Sequence, residues 1–454
     1  MQRTRTIQQL CASLWAPLLL CWALTAIAEV QGSSTDVVRP DERIVTVHVL
    51  HYAPSPQGDA LKSAADILKS KFPTLKMIAD PDDSTEGFSV RAELFDMKAE
   101  GFEPPSMELL KYYGRGITRE QAQAMQQSQF AVVLSFSYPF ADALAAIEKM
   151  NAYTRELALR TKGLIWDAET RELFSPQAWQ ERRLAPADHG YPDVGKHIAI
   201  HAYQTQDHVR AITLGMRKFG LPDLVVEQFS WSLNDQMGNT INFMAQALVE
   251  GATPALGAYD FDIAGLKNEQ VRQRYQDRLL EDSKTVARLT FAVAKRDEGD
   301  PENRLVEIRF DRYAGQSVHE RNQNFASEFF GSAETVSYVK HNEAVLAASA
   351  RAKKKLPELR KAFNAGLEPG EQFLVKAPFA TPDGGNEWMW VEVVSWKGER
   401  IEGLLGNEPV EIPDLHAGAT VQVKQADIFD YVRYKADGSE EGNETGKIIA
   451  RMPK

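Results

Sequence analysis

Thiols are almost missing from this 454-residue chain: Cys11 and Cys21 are its two cysteines, and both lie within the first 28 residues. If that stretch is a removable leader, the mature protein has none. Disulfides, thiolate zinc sites and cysteine nucleophiles are then excluded together. Positive charge is also short, with 52 Lys and Arg against 63 Asp and Glu and a formal net charge of −11. Arg3 and Arg5 are the only charges before Glu29, so the remainder is more acidic still. Such a chain repels phosphate backbones, which disfavours nucleic acid as a general partner. There is no G-x-S-x-G elbow, no P-loop and no glycine-rich dinucleotide fingerprint, so no local motif announces a reaction. A triad assembled in space stays open.

What is present starts with the N-terminus. Arg3 and Arg5 precede an apolar run from Leu10 to Ala28 that contains no charge and ends in Ala26-Ile27-Ala28. A positive n-region, an apolar stretch and an A-x-A site make a signal peptide, cut after Ala28. Pro17 interrupts the run, which argues against a retained anchor, and bulky Leu20 before Cys21 argues against lipidation. The expected compartment is periplasmic or extracellular, with no membrane span after cleavage.

Residues 29–42 are polar and read as a flexible lead-in. From 43 to about 335, strand and helix patterns alternate. Arg43–Tyr52 places Ile44, Thr46, His48 and Leu50 on one face and Val45, Val47 and Val49 on the other, the period of a strand. Further strands are expected at 88–95, 130–136, 163–166, 196–203 and 223–229, and helices at 57–72, 140–162, 207–219 and 240–250. Segments 285–294 and 304–313 read as an antiparallel hairpin. The pattern predicts an α+β protein with an N-terminal α/β layer region, divisible near 190–196. A basic helix follows over 341–363, with Pro357 expected to kink or divide it. Its charge run is expected to be a solvated face. From Gln372 onward the chain reads as strands and turns, giving a helix plus a small antiparallel sheet or barrel over 341–450.

That C-terminal part carries several ordered motifs: Phe373-Leu374-Val375-Lys376-Ala377-Pro378-Phe379, Glu387-Trp388-Met389-Trp390-Val391, Gly403 with Asn407-Glu408-Pro409, and Gly418 with Asp427-Ile428-Phe429-Asp430-Tyr431. Together they resemble the YegJ-like bacterial domain of unknown function, which tends to have Trp where this chain has Tyr431. The resemblance implies a bacterial domain but no reaction. Upstream, Gly163–Trp166, Leu173–Pro176 and Thr213–Pro222 are similar to another uncharacterised bacterial α/β domain.

Candidate functional residues concentrate in the C-terminal strands. Alternation in 387–396 puts Trp388, Trp390, Glu392, Val394 and Trp396 on one face, with Met389, Val391 and Val393 on the other. Three of the six tryptophans beyond the leader thus share a stripe, suited to a peptide or glycan. The competing expectation is that both faces are buried. Asn407 and Glu408 at a turn, Asp427 and Asp430 around Ile428-Phe429, and Tyr431 complete the tentative ligand-binding set. No metal site or cofactor is expected. His197 and His201 fall about 13 Å apart on a strand, His48 and His51 point to opposite faces, and the loop with Asp80, Asp82, Asp83 and Glu86 lacks EF-hand spacing. The function expected from these features is non-catalytic binding in the cell envelope. The alternatives are a hydrolase using Glu392 or Asp430 and a scaffold partner in an envelope complex.

Overall fold

The computed structural model describes residue 38 and residues 40–79, 87–99, 101–205, 208–230, 233–279, 283–331, 343–406, 409, 411–435 and 439–449. The expected leader, most of the lead-in, the loop with Asp80, Asp82, Asp83 and Glu86, and the turn residues Asn407 and Glu408 lie outside the described residues.

The first sheet comprises β1 (Arg43–His51), β2 (Lys76–Met77), β3 (Ser89–Asp96), β4 (Gly114–Arg115), β5 (Phe130–Pro139), β6 (Leu164–Asp167) and β7 (Glu172–Phe174). They pair in the order β2-β3-β5-β1-β6-β7-β4. Helices α1 (Ala60–Lys71), α2 (Met107–Tyr113), α3 (Arg119–Met125), α4 (Ala143–Thr161) and α5 (Pro176–Arg183) connect and cover it. β1 behaves as its alternation predicts, with Ile44, Thr46, His48 and Leu50 buried. The start of α5 is written locally: Ser175 caps it by accepting from Ala178 N, and Pro176 stands in its first turn, where a missing N–H costs nothing.

The second sheet comprises β8 (Ala199–Thr205), β9 (His208–Leu214), β10 (Asp223–Phe229), β11 (Gly257–Asp262), β12 (Val286–Val293) and β13 (Leu305–Arg309), ordered β11-β12-β13-β10-β9-β8. Helices α6 (Asn234–Val249), α7 (Glu269–Gln276) and α8 (Val318–Phe330) belong to it. The helix expected over 207–219 is corrected here. His208–Leu214 is a strand hydrogen-bonded between β8 and β10, and a 3-10 turn follows at Met216–Phe219. Burial from Val209 through Leu214 on both faces removes the alternation that would have identified it. The strand–helix alternation also builds mainly antiparallel pairs, with β2/β3, β4/β7 and β10/β13 parallel. One apolar core runs through both sheets from Val38 to Phe330.

The third sheet is wholly antiparallel: β14 (Gln372–Ala380), β15 (Asn386–Lys397), β16 (Arg400–Leu405), β17 (Thr420–Lys424), β18 (Asp430–Tyr434) and β19 (Glu440–Gly442), in the order β17-β16-β15-β14-β18-β19. Helix α9 (Glu343–Ala365) lays Ala352, Leu356 and Leu359 on one face of it, and α10 (Glu444–Ile449) follows β19. α9 contains Pro357 and runs on undivided, so the expected division does not occur. Three of its basic side chains tie it to the rest of the module: Arg351 to Glu444 at the start of α10 at 2.7 Å, Lys355 to Glu441 on β19 at 3.6 Å and Arg360 to Glu399 in the turn before β16 at 3.4 Å. The architecture is α+β throughout.

The C-terminal module is fastened to the N-terminal body just after α9. Gly370 N donates to Lys111 O at 2.6 Å, and Arg119 N donates to Glu368 Oε2 at 2.7 Å. Gly370 has φ +85°, and a Cβ there would collide with the Gly114 carbonyl oxygen, so both conformation and space demand glycine.

Candidate functional site

The tryptophan strand is half as expected. Met389, Val391 and Val393 are buried against α9 with Phe373 and Val375. Trp388, Trp390 and Glu392 occupy the other face, each half-buried. Trp396 does not join them. The register between β15 and β16 shifts between Val393 and Ser395, so the strand carries an extra residue and its later side chains exchange faces. Val394 is exposed and Trp396 turns inward, stacked on Phe373 at 5.8 Å between ring centroids. The stripe expected from alternation is therefore shortened to Trp388, Trp390 and Glu392.

Register adds a residue that alternation could not supply. Lys376 on β14 lies directly opposite Trp390 on one side and Asp430 on the other. Its ammonium stands 5.7 Å from the centre of the Trp390 ring, within cation–π range. Burial pulls the Lys376 pKa down, opposed by the Asp430 carboxylate. Next along the strand, burial pushes the Glu392 carboxyl up, opposed by Lys111 of α2. Trp388 meets Phe429 at 4.5 Å between centroids. The face therefore offers two indoles, an ammonium and a carboxyl whose pKa burial raises.

The remaining candidates divide. Asp430 is fully buried; its Oδ2 accepts from Thr445 N at 2.8 Å and Thr445 Oγ1 at 2.6 Å, and its Oδ1 from Tyr431 N at 2.8 Å. It holds the start of α10 in place. Tyr431 is buried on the α9 side, with its hydroxyl 3.3 Å from Glu441 Oε1. Asp427 is exposed in the 3-10 turn Gln425–Asp427. Asn407 and Glu408 are outside the described residues. No group of three or more His, Cys, Asp or Glu among the described residues is placed to hold a metal, and His197 caps the 3-10 turn Val194–Lys196 ahead of β8 instead of lying in the strand.

A second constellation had no sequence signal. Asp167, at the end of β6, is fully buried. Its Oδ2 accepts from Arg183 Nε at 3.0 Å, Arg183 Nη2 at 2.9 Å and Lys218 Nζ at 2.8 Å. Arg183 Nη2 also donates to Glu172 Oε2 at 2.9 Å and Thr170 Oγ1 at 2.9 Å. Burial pushes the carboxyl of Asp167 up, but Lys218 and Arg183 outweigh it and hold Asp167 well below the ordinary range. Glu172 is held at about 2, its burial outweighed by Arg183, Arg115 and Arg182. Nearby His48 is kept neutral by burial, its pKa pulled down to about 3. Asp167, Thr170, Glu172 and Arg183 belong to β6, β7, the turn between them and the end of α5, and Lys218 reaches them from the 3-10 turn after β9; no sequence motif announces the set.

No helix among the described residues is long and apolar enough to cross a membrane. No curated protein and no solved structure shows a significant match to the chain. Residues 317–452 match the family model described as an uncharacterized protein conserved in bacteria, DUF2314. The match takes in α8, which packs Phe325, Phe329 and Phe330 into the N-terminal core, as well as the third sheet with α9 and α10. The C-terminal part of this chain thus carries a bacterial domain of uncharacterised function.

Proposed function

We propose that the chain is an exported, non-catalytic binding protein of the cell envelope, whose C-terminal module, YegJ-like in its motifs, captures a peptide or glycan on the face of β15 and β14 turned away from α9. The observation that carries this reading is the split between the tryptophans. Trp396 is turned into the core, while Trp388 and Trp390 stay half-buried on the opposite face beside Lys376 and Glu392. Rigid indoles with a cation and a carboxyl at their edge give large contact area together with polar selectivity. Export rests on Arg3, Arg5, the uncharged run to Ala28 and the A-x-A site.

The test is tryptophan fluorescence titration of the mature chain with peptide and glycan panels, paired with thermal melts. The expected result is a saturable change that Trp388→Ala and Trp390→Ala each weaken at least tenfold at nearly unchanged melting temperature. Absence of a saturable response across the panels, or loss of folding in both variants, overturns the reading. For export, the protein should be recovered outside the cytosol beginning at Glu29.

A hydrolase is the second reading, and it is favoured by burial raising the Glu392 pKa, the direction in which a general acid is tuned. Asp430 is a poor second partner because both of its oxygens are engaged. Turnover abolished by Glu392→Gln would establish this alternative.

A further inference from the structure

Helix α6 carries a polar stripe where it passes over an apolar part of the second sheet, and a cavity of about 250 Å³ lies between the two. Ile200 and Ala202 on β8, with Ala211 directly opposite Ala202 on β9, form its apolar floor. The helix faces that floor with Asn234, Gly238 and Asn242, each one turn after the last, and with Asp235 and Asn239 beside them. A helix laid on a sheet ordinarily closes such a gap with aliphatic side chains. Here small and polar residues leave it open.

Gly238 is the sharpest sign. It lies inside α6 in helical conformation, and a Cβ built on it would meet no atom within 4 Å. Neither backbone geometry nor crowding within the protein calls for glycine there, although glycine is a poor helix former. On a cavity wall, a missing side chain lets a guest approach the helix backbone closely.

The polar groups around the cavity are unspent. Asn234 and Asn242 are half-buried, and neither side-chain amide makes a hydrogen bond among the described residues. Arg278, just past α7, reaches the same cavity and donates from Nη1 to Asn239 Oδ1. Asp235 stands one helical turn before Asn239, on the same side of α6. Yet Asp235 and Arg278 form no ion pair, with each other or with any other described residue.

A carboxylate and a guanidinium that share one small cavity without joining match a ligand that carries both opposite charges close together. The amides between them can donate to and accept from its polar atoms. Sites for drug-sized ligands run to about 300–1,000 Å³, so a cavity of about 250 Å³ suits one smaller molecule. We infer that the cavity binds a single small zwitterion, an α-amino acid with a short side chain. Its ammonium meets Asp235, its carboxylate meets Arg278, and its side chain lies on Ile200, Ala202 and Ala211. The site belongs to the N-terminal body and does not depend on the tryptophan face.

Isothermal titration calorimetry and thermal melts of the full chain test the site with glycine and L-alanine at millimolar concentration. The controls are alaninamide, which lacks the carboxylate, N-acetylalanine, which lacks the ammonium, and glucose, a neutral polyol. Saturable one-to-one binding of glycine or alanine is expected, with every control at least tenfold weaker. Gly238→Leu should abolish binding while the melting temperature of the free protein stays unchanged or rises, because a better helix former enters open space. Asp235→Asn and Arg278→Met should each weaken binding at least tenfold. Failure of both amino acids to bind overturns the inference, as does a control that binds as tightly as alanine. A Gly238→Leu protein that keeps its melt and binds alanine as before overturns it too.

Discussion

Asp167 and Lys218 join carboxylate to ammonium at 2.8 Å across 51 residues of sequence, with both side chains sealed from solvent. The pair links the end of β6 in the first sheet to the 3-10 turn that follows β9 in the second. Because Arg183 shares the same Asp167 oxygen, one carboxylate serves two cations. Asp167→Asn would strand Lys218 in the interior and leave Arg183 with Glu172 as its one carboxylate. The expected cost is about 3–5 kcal/mol, read from the urea midpoint, and the double variant Asp167→Asn/Lys218→Met should recover part of it. A single-variant cost below about 1 kcal/mol would show that water reaches the cluster.

Acid should loosen the body through its buried histidines, against an opposing contribution from Asp223 and Glu169, whose carboxyls burial pushes up to about 6 and about 7. His48 and His51 have folded-state pKa values pulled down by burial to about 3 and about 4, from 6.5. Their contribution is complete above pH 6.5 and is lost as pH falls toward the folded values, because the unfolded chain takes up the protons first. Each histidine should remove about 1.4 kcal/mol per pH unit below 6.5. Urea midpoints between pH 7.5 and 4.5 should show this fall. His48→Gln should make it shallower by about one histidine's share, and an unchanged slope would contradict the assignment.

Much of the fold was legible because single segments carry their own instructions. The alternation of β1 and the apolar strand pattern at 223–229 need no distant partner. β9 was not legible because it is buried on both faces, and Val209 and Ile212 then fall at a spacing that imitates a helix turn. Trp396 was misplaced for a different reason: a bulge is a property of the β15/β16 pair, and the alternation of β15 alone continues through it. Lys376 joins the site only through register with Trp390 and Asp430. Lys218 joins the Asp167 cluster only where the second sheet meets the first, so no local pattern could reveal that member.

Asp430 should prove a structural residue. Its Oδ2 accepts both the backbone N–H and the hydroxyl of Thr445, and a buried donor left without an acceptor costs about 1–3 kcal/mol. Asp430→Ala and Thr445→Val should each destabilise the C-terminal module by an amount in that range. Because the two residues share the same bonds, the double variant should cost clearly less than the sum. Additive costs in this cycle, measured by urea unfolding, would show that the two residues act independently.

The bulge in β15 separates two tryptophans by role, and substitution should separate them too. Trp396 is 2% exposed within the cluster formed with Phe373, Val391 and Ile401, so Trp396→Ala opens a cavity in a small core at a cost of about 3–5 kcal/mol. Trp390 is half-buried on the opposite face, and its truncation leaves an indentation that water can fill, costing about 1 kcal/mol. Urea unfolding of the two variants should therefore differ by at least about 2 kcal/mol. Ligand capture should show the opposite order, retained in whatever Trp396→Phe protein folds and lost in Trp390→Ala. Equal stability costs at the two positions would place Trp390 in the core and remove the surface on which the proposed binding depends.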